Sequence, residues 1–336
     1  MKKVSILGLG LMCLDIVYYN GMPKIMSGGS CANVISVLAQ VGMNCTVLRE
    51  KYSDSFESVL YDSLSAFGVK QTLYKNTSLE TPRVIELLDE SHHDFLTWCP
   101  KCGKKVLNIH MPTVNNITKV DSIQLKDFEL LYCDRTSKGI IHLMDVIHEN
   151  NGLVVYEPNS GRNLKSLLNS AKHADIVKFS NQRISFSIAN QLRETSNLKM
   201  IIVTMGEKGL MFSHVCQNGK MSDWIEVKSE FKGPIVDASG AGDWLSAGFI
   251  VELINNDLDN NSFYSSRKLS EMLAQGMKYS QLCCASIGAQ GVFYSDASLD
   301  VLKRLSNRDS ALKGHSINSE YNTLNNICPY CYSKIS

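Results

Sequence analysis

Residues 237–249 read DASGAGDWLSAGF. Gly240, Ala241 and Gly242 leave backbone N–H groups uncovered just where an apolar, helix-like run begins. A helix starting near Gly240 aims those donors and its positive end at one point, which suits an anion. Asp243 is at odds with that point, because a carboxylate repels an anion. The pairing makes sense if the carboxylate takes a proton from whatever attacks the anion. A tight turn ahead of a buried helix would use the same tetrapeptide, so these four residues alone leave both readings open.

A second pattern concerns metal. WCPKCGKK (98–105) and ICPYCYSK (327–334) are two CPxC knuckles. Each presents two thiolates on a tight turn, and a tetrahedral zinc site takes two such pairs. Cys99, Cys102, Cys328 and Cys331 are expected to hold structural zinc; free thiols on unrelated turns and a redox disulfide are the alternatives. Zinc would staple the C-terminal tail to the first knuckle, within one chain or between the chains of a homodimer. His92 and His93, near the first knuckle, either replace a thiolate or lie on the surface. His110 either lines a site or faces solvent. Cys283 and Cys284, inside MKYSQLCCASIG, read as small core residues.

The elements that must position these groups alternate. VSILGLG (4–10), CTVLRE (45–50), FELLYCD, GLVVYEPN, ADIVKFSN and KMIIVTMGEKG are strand-like, while CANVISVLAQVG (31–42), SFESVLYDSLSAFG (55–68) and GIIHLMDVIHENNG are helix-like. Such alternation predicts right-handed crossovers and an α/β fold, a mostly parallel central sheet flanked by helices on both faces. Ligands in such sheets sit beyond the carboxyl ends of the strands, where Asp15, Asn159, Asn181 and Gly206 fall. Residues 72–118 break the rhythm: RVIELLDE (83–90) and KVLNIHMPTV (105–114) read as two strands with no helix between them. This predicts a small β-strand lid from about 72–118, joined by part of 11–25, or else a decorative surface hairpin.

Composition narrows the class. Hydrophobic residues at 44% and charged residues at 20% are an ordinary soluble mix, and 336 residues suffice for a large core. A net charge of +1 gives no footprint for nucleic acid or a membrane surface. The N-terminal MKKVSILGLGLMCLD superficially resembles a leader, but it is glycine-broken and ends in Asp15, so it reads as a buried first strand. An odd count of eleven scattered cysteines argues against a disulfide framework and for a cytoplasmic location. The expected division is one domain over 1–306 and a tail over 307–336 ending in the second knuckle. GLGLMC (8–13) has Cys13 where a dinucleotide fingerprint needs its third glycine, and no GxxxxGK[ST] occurs.

Further motifs fit the first. SGGSCANVISVLAQVG (27–42) has a double glycine followed by Asn33 opening a helix, TMGEKG (204–209) follows a strong strand, and VKFSN (177–181) ends another. Together with DASGAGD these resemble the ribokinase (PfkB) family of carbohydrate and nucleoside kinases over about Val4 to Phe293. The resemblance implies a ribokinase-like fold and transfer of phosphate from ATP to a hydroxyl of a sugar or related polyol, or of a nucleoside. It implies Asp243 as the base, with the amides of Gly240, Ala241 and Gly242 as the anion hole. Asp15, Gly28, Gly29 and Asn33 match acceptor-binding positions. Asn181 matches the nucleotide and magnesium (Mg2+) loop, and Thr204, Gly206 and Gly209 match the loop beside ATP. Asp237 and Ser239 fall where family members bind a monovalent cation such as K+, and GAQG (288–291) resembles the turn lining the adenine pocket. Three positions depart: Ala238 replaces a Thr, Glu157 an Asp, and Ile184 the Glu that orients magnesium through water. The last departure keeps open a catalytically weakened ligand sensor or scaffold.

Overall fold

The computed structural model describes residues 4–19, 22–89, 93–120, 125–194, 198–231, 233–256, 265–307, 328, 330 and 331. Along the chain, β1 (Ser5–Leu9) leads into a hairpin of β2 (Cys13–Tyr19) and β3 (Met22–Gly28). The helix Ser30–Gln40, β4 (Asn44–Lys51), the helix Phe56–Ala66 and β5 (Lys70–Asn76) follow, then a second hairpin of β6 (Arg83–Leu88) and β7 (His93–Leu96). A short helix, Val114–Ile117, precedes a regular alternation: β8 (Leu130–Cys133), helix Lys138–Glu149, β9 (Leu153–Tyr156), helix Leu164–Ala171, β10 (Ile176–Ser180), helix Phe186–Leu192 and β11 (Met200–Thr204). β12 (Gly209–His214) and β13 (Ile225–Lys228) fold back before the helices Ala241–Asn255, Ser266–Cys284 and Asp296–Ser306.

The strands form two sheets. The larger has the order β13-β12-β11-β10-β9-β8-β1-β4-β5, parallel from β5 to β11 and antiparallel at its β12–β13 edge. Its strands are apolar on both sides because both faces are covered. In β8, Leu130 and Tyr132 enter the core on one face while Leu131 and Cys133 enter the core on the other. The N-terminal apolar stretch is β1, an interior strand between β8 and β4, with Ile6 and Leu7 fully buried. No helix among the described residues is long and apolar enough to cross a membrane.

The smaller sheet has the order β3-β2-β6-β7 and forms the lid. Both hairpins contribute, so 11–25 does join it, but its limits differ from the expectation. Residues 72–76 belong to β5, which pairs in parallel with β4 in the large sheet. Residues 105–114 are not a strand. β6 takes its antiparallel partner from the nearer run His93–Leu96, and the later run crosses the start of β6, where Arg83 N–H donates to the Val106 carbonyl at 2.9 Å. Pro112 in that run has no N–H to give a ladder. Of the tail, only Cys328, Tyr330 and Cys331 fall within the described residues; the remainder from 308 onward lies outside them.

Candidate active site

Asp243 sits in the first turn of Ala241–Asn255, a helix apolar on nearly every side and buried between Ser30–Gln40 and Ser266–Cys284. Gly240 caps it in the left-handed conformation (φ 72°), where a side chain would be strained and a Cβ would collide with Ala289. The turn leaves the N–H groups of Gly240, Gly242 and Asp243 with no acceptor among the described residues, whereas Ala241 N–H donates to the Ala238 carbonyl at 3.2 Å. Two of the three expected anion-hole donors are thus open, and the third is engaged in the turn itself.

Asn33 opens the helix Ser30–Gln40 after the glycine pair and donates from Nδ2 to Asp243 Oδ2 at 2.7 Å. Gln290 ties the same group in: its Nε2 donates to Asn33 Oδ1 at 3.4 Å and its Oε1 accepts from Ser27 Oγ at 2.6 Å. Burial, reinforced by the neighbouring Glu157 carboxylate, pushes the Asp243 carboxyl up to about 6 against the opposing pull of Asn33 and Lys178. A carboxyl tuned to that range suits proton transfer near neutral pH.

Asp15 lies on β2, with its carboxylate against Gly28 on the paired strand β3; a Cβ at Gly28 would overlap it. Burial and then Glu86, with Asp243 and Asp237 adding to it, push the Asp15 carboxyl well above the usual carboxylate range. Gly29 (φ 90°) caps the Asn33 helix. Asp15, Gly28, Gly29, Asn33 and Asp243 therefore converge between lid and large sheet.

The expected nucleotide-side residues stand at the carboxyl ends of β10 and β11. Asn181 follows β10 and is exposed, with its N–H donating to the Thr204 carbonyl at 3.0 Å. Gly206 (φ 62°) and Gly209 (φ 100°) bracket a single 3-10 turn. Ile184 is 1% exposed and lies in the hydrophobic core on that face, so no ligand for magnesium arises there.

Several residues of the site make contacts that the sequence did not assign to them. Lys178, 3% exposed, pairs with Glu157 at 2.5 Å, and Glu157 also accepts from Tyr132 (3.1 Å) and Ser246 (2.6 Å). A Cβ on Gly242 would lie 3.6 Å from Lys178 Nζ, which puts this cation beside the helix N-terminus. A lysine within the apolar run IVKFS was the available clue. Likewise, Ser239 Oγ donates to Glu86 of β6 at 2.9 Å and meets His93 Nε2 of β7 at 3.0 Å. Asp237 accepts from Ser239 N–H and Gly288 N–H, both at 2.7 Å. His93 thus faces the signature loop and not the cysteines. His92 lies outside the described residues, and His110 is exposed.

The four knuckle cysteines come together at the lid, as their spacing predicts. Cys99 Sγ lies 3.6 Å from Cys328 Sγ and Cys102 Sγ 3.7 Å from Cys331 Sγ, all within one chain. Cys283 is buried, its Sγ donating to the Ser239 carbonyl, and Cys284 is buried beside it.

This architecture, a mostly parallel sheet with a separate small lid sheet, is the ribokinase-like α/β fold. The Giardia lamblia ribokinase structure aligns over 89% of this chain and 98% of its own, with a TM-score of 0.71 at 14% identity. A Xylella fastidiosa fructokinase with bound ATP aligns over 91% and 100%, with a TM-score of 0.69 at 16% identity. The pattern of the pfkB family carbohydrate kinases matches residues 15–294, and the chain belongs to that family. The Arabidopsis thaliana protein named probable fructokinase-2 is 23% identical over 278 residues, which is 77% of this chain and 79% of that protein.

Proposed function

We propose that this carbohydrate kinase transfers the γ-phosphoryl group of ATP to a hydroxyl of a neutral sugar or related small polyol. The acceptor oxygen attacks the γ-phosphorus, the bond to the β,γ-bridging oxygen breaks, ADP leaves, and the hydroxyl proton passes to Asp243. The observation that supports this most directly is the Asp243 carboxylate, held by Asn33 at 2.7 Å and pushed up to about 6, in the first turn of a helix whose leading amides are open. Such preset donors, here Gly240 and Gly242 with Ala241 completing the turn, stabilise charge as it develops without reorganising.

Asp15 and Asn33 bind acceptor hydroxyls in this reading, with Gly28 and Gly29 admitting the acceptor close to the backbone. The acidic surroundings of Asp15, made by Glu86, Asp237 and Asp243, disfavour an acceptor that already carries phosphate. Asn181, Thr204, Gly206 and Gly209 bind ATP. Magnesium supplies charge neutralisation on the phosphates and arrives with the nucleotide, since position 184 offers no carboxylate. Asp237 and Ser239 hold a monovalent cation, consistent with a fully buried Asp237 carboxylate that has the His93 ring 3.7 Å away. The four knuckle cysteines hold structural zinc. None of the eleven cysteines is in a disulfide, which suits a reducing, cytoplasmic compartment.

The test is ADP release from Mg-ATP across pentoses, hexoses and nucleosides, with Asp243→Asn beside the wild type. Acceptor-dependent turnover that falls about 10²–10⁴-fold in the variant is the expected result. Turnover on nucleosides alone would reassign the acceptor class. Binding of ATP or sugar with no turnover on any acceptor would replace the kinase with a sensor or scaffold.

A further inference from the structure

We infer that a zinc ion on Cys99, Cys102, Cys328 and Cys331 makes the C-terminal knuckle a working part of the lid, bracing the strand that carries Asp15. The inference rests on the zinc assignment above and not on the kinase chemistry.

The donor set fits the metal. The four sulfurs lie within 4.8 Å of one another. Thiolates about 2.3 Å from a tetrahedral zinc are about 3.8 Å apart, close to the observed 3.6 and 3.7 Å. Cys99, Cys328 and Cys331 are buried, and Cys102 is at the surface. The first knuckle is a closed turn, with Gly103 N–H donating to the Cys99 carbonyl at 2.9 Å and Cys99 N–H to the Lys104 carbonyl at 2.8 Å.

The two knuckles grip different strands of the same sheet. The first continues from β7, and its return run is held by Val106 N–H on the Thr97 carbonyl and by Arg83 N–H, at the start of β6, on the Val106 carbonyl. The second reaches β2: Tyr330 stacks on Tyr18 with ring centroids 5.0 Å apart, and Tyr18 Oη donates to the Tyr330 carbonyl at 3.3 Å. Tyr18 is three residues beyond Asp15, and β2 is hydrogen-bonded to β6 along its length. The thiolate bonds therefore close a bracket across β2, β6 and β7, joining residues 229 apart in sequence. Pinning such a distant segment removes conformational freedom that the lid edge would otherwise have. The large sheet that carries the nucleotide-side residues is outside the bracket.

The experiment measures metal content and amide hydrogen exchange of the full-length protein, for the wild type, Cys328→Ser/Cys331→Ser and Tyr330→Ala. The expected wild type holds about one zinc per chain and the cysteine variant loses it. Exchange in residues 13–19 then accelerates about tenfold or more while β10 and β11 keep their protection. Tyr330→Ala keeps its zinc and shows a smaller acceleration confined to the same strand. Should the cysteine variant fail to fold, chelation of the wild type and Tyr330→Ala supply the same two comparisons. A wild type without zinc, or one with its four cysteines paired as disulfides, overturns the metal site. Zinc that is present and removable with no change in β2 protection overturns the bracing role alone, and neither readout depends on turnover.

Discussion

Asn33 Nδ2 donates to Asp243 Oδ2 at 2.7 Å, joining the first turns of two helices whose residues are 210 apart in sequence. The glycine pair before one helix and the Gly-Ala-Gly that caps and opens the other thus serve one place. The bond holds the carboxylate and also pulls its pKa down against burial.

Asn33→Ala removes that pull, so the Asp243 carboxyl rises further above its wild-type value of about 6. A base must be deprotonated, so the wild-type rate falls as pH drops through about 6, and the variant's rate falls at higher pH. A hydrogen bond to a charged group is worth about 1.5–3 kcal/mol, so the change in protonation predicts a loss of about 2–15-fold at neutral pH. The pH dependence of kcat/KM checks it: an acidic limb that stays in place, or moves down, is the contrary outcome.

Gly28→Ala tests the close approach of β3 to Asp15. The added Cβ would overlap the carboxylate, which must turn away because the surrounding strands are paired on both sides. The acceptor KM is expected to rise about tenfold or more while the ATP KM changes little, with about 1–3 kcal/mol of lost stability from overpacking. Steady-state kinetics with each substrate varied in turn separates the two. An equal rise in both KM values would place the damage elsewhere.

How far the sequence reveals this site depends on how local each signal is. The α/β alternation and buried β1 are legible because strands covered on both faces are continuously apolar. DASGAGD is legible because backbone exposure, cap and acid are packed into seven residues. The strand expected at 105–114 fails because its apolar residues match a strand pattern while the partner, β6, had already been taken by the nearer His93–Leu96. The roles of Lys178, Glu86 and His93 are not local, since each gains its meaning only from a residue on another element. Ser239, for instance, meets Glu86 and His93 across 153 and 146 positions.

Lys178 is expected to be needed twice. Its ammonium neutralises Glu157 at 2.5 Å and lowers the Asp243 pKa. Lys178→Met leaves Glu157 buried with no opposite charge, which costs about 3–5 kcal/mol, and Lys178→Met with Glu157→Gln should recover most of that stability. Activity should not return in the double variant, because the cation beside Gly242 is still absent. Thermal or denaturant unfolding measured beside kcat checks both parts. A double variant that is as active as the wild type would limit Lys178 to a structural role.

Ile184 occupies the position at which the family resemblance implies a Glu, and introducing that residue tests whether the local backbone can use it. Ile184 packs in the core with Phe179, Ala189 and Leu192, and its N–H donates to the Ser180 carbonyl at 3.0 Å, which fixes the turn. A glutamate there would bury a carboxylate among apolar side chains. Such a group either stays protonated or forces the turn open, and both cost free energy. Ile184→Glu is expected to lose about 3 kcal/mol or more of stability and to gain no affinity for magnesium. Unfolding midpoints and the magnesium dependence of turnover read the two effects separately. A stable variant that needs less magnesium would show that the turn can rotate residue 184 towards the phosphates, and that the isoleucine alone weakens metal handling.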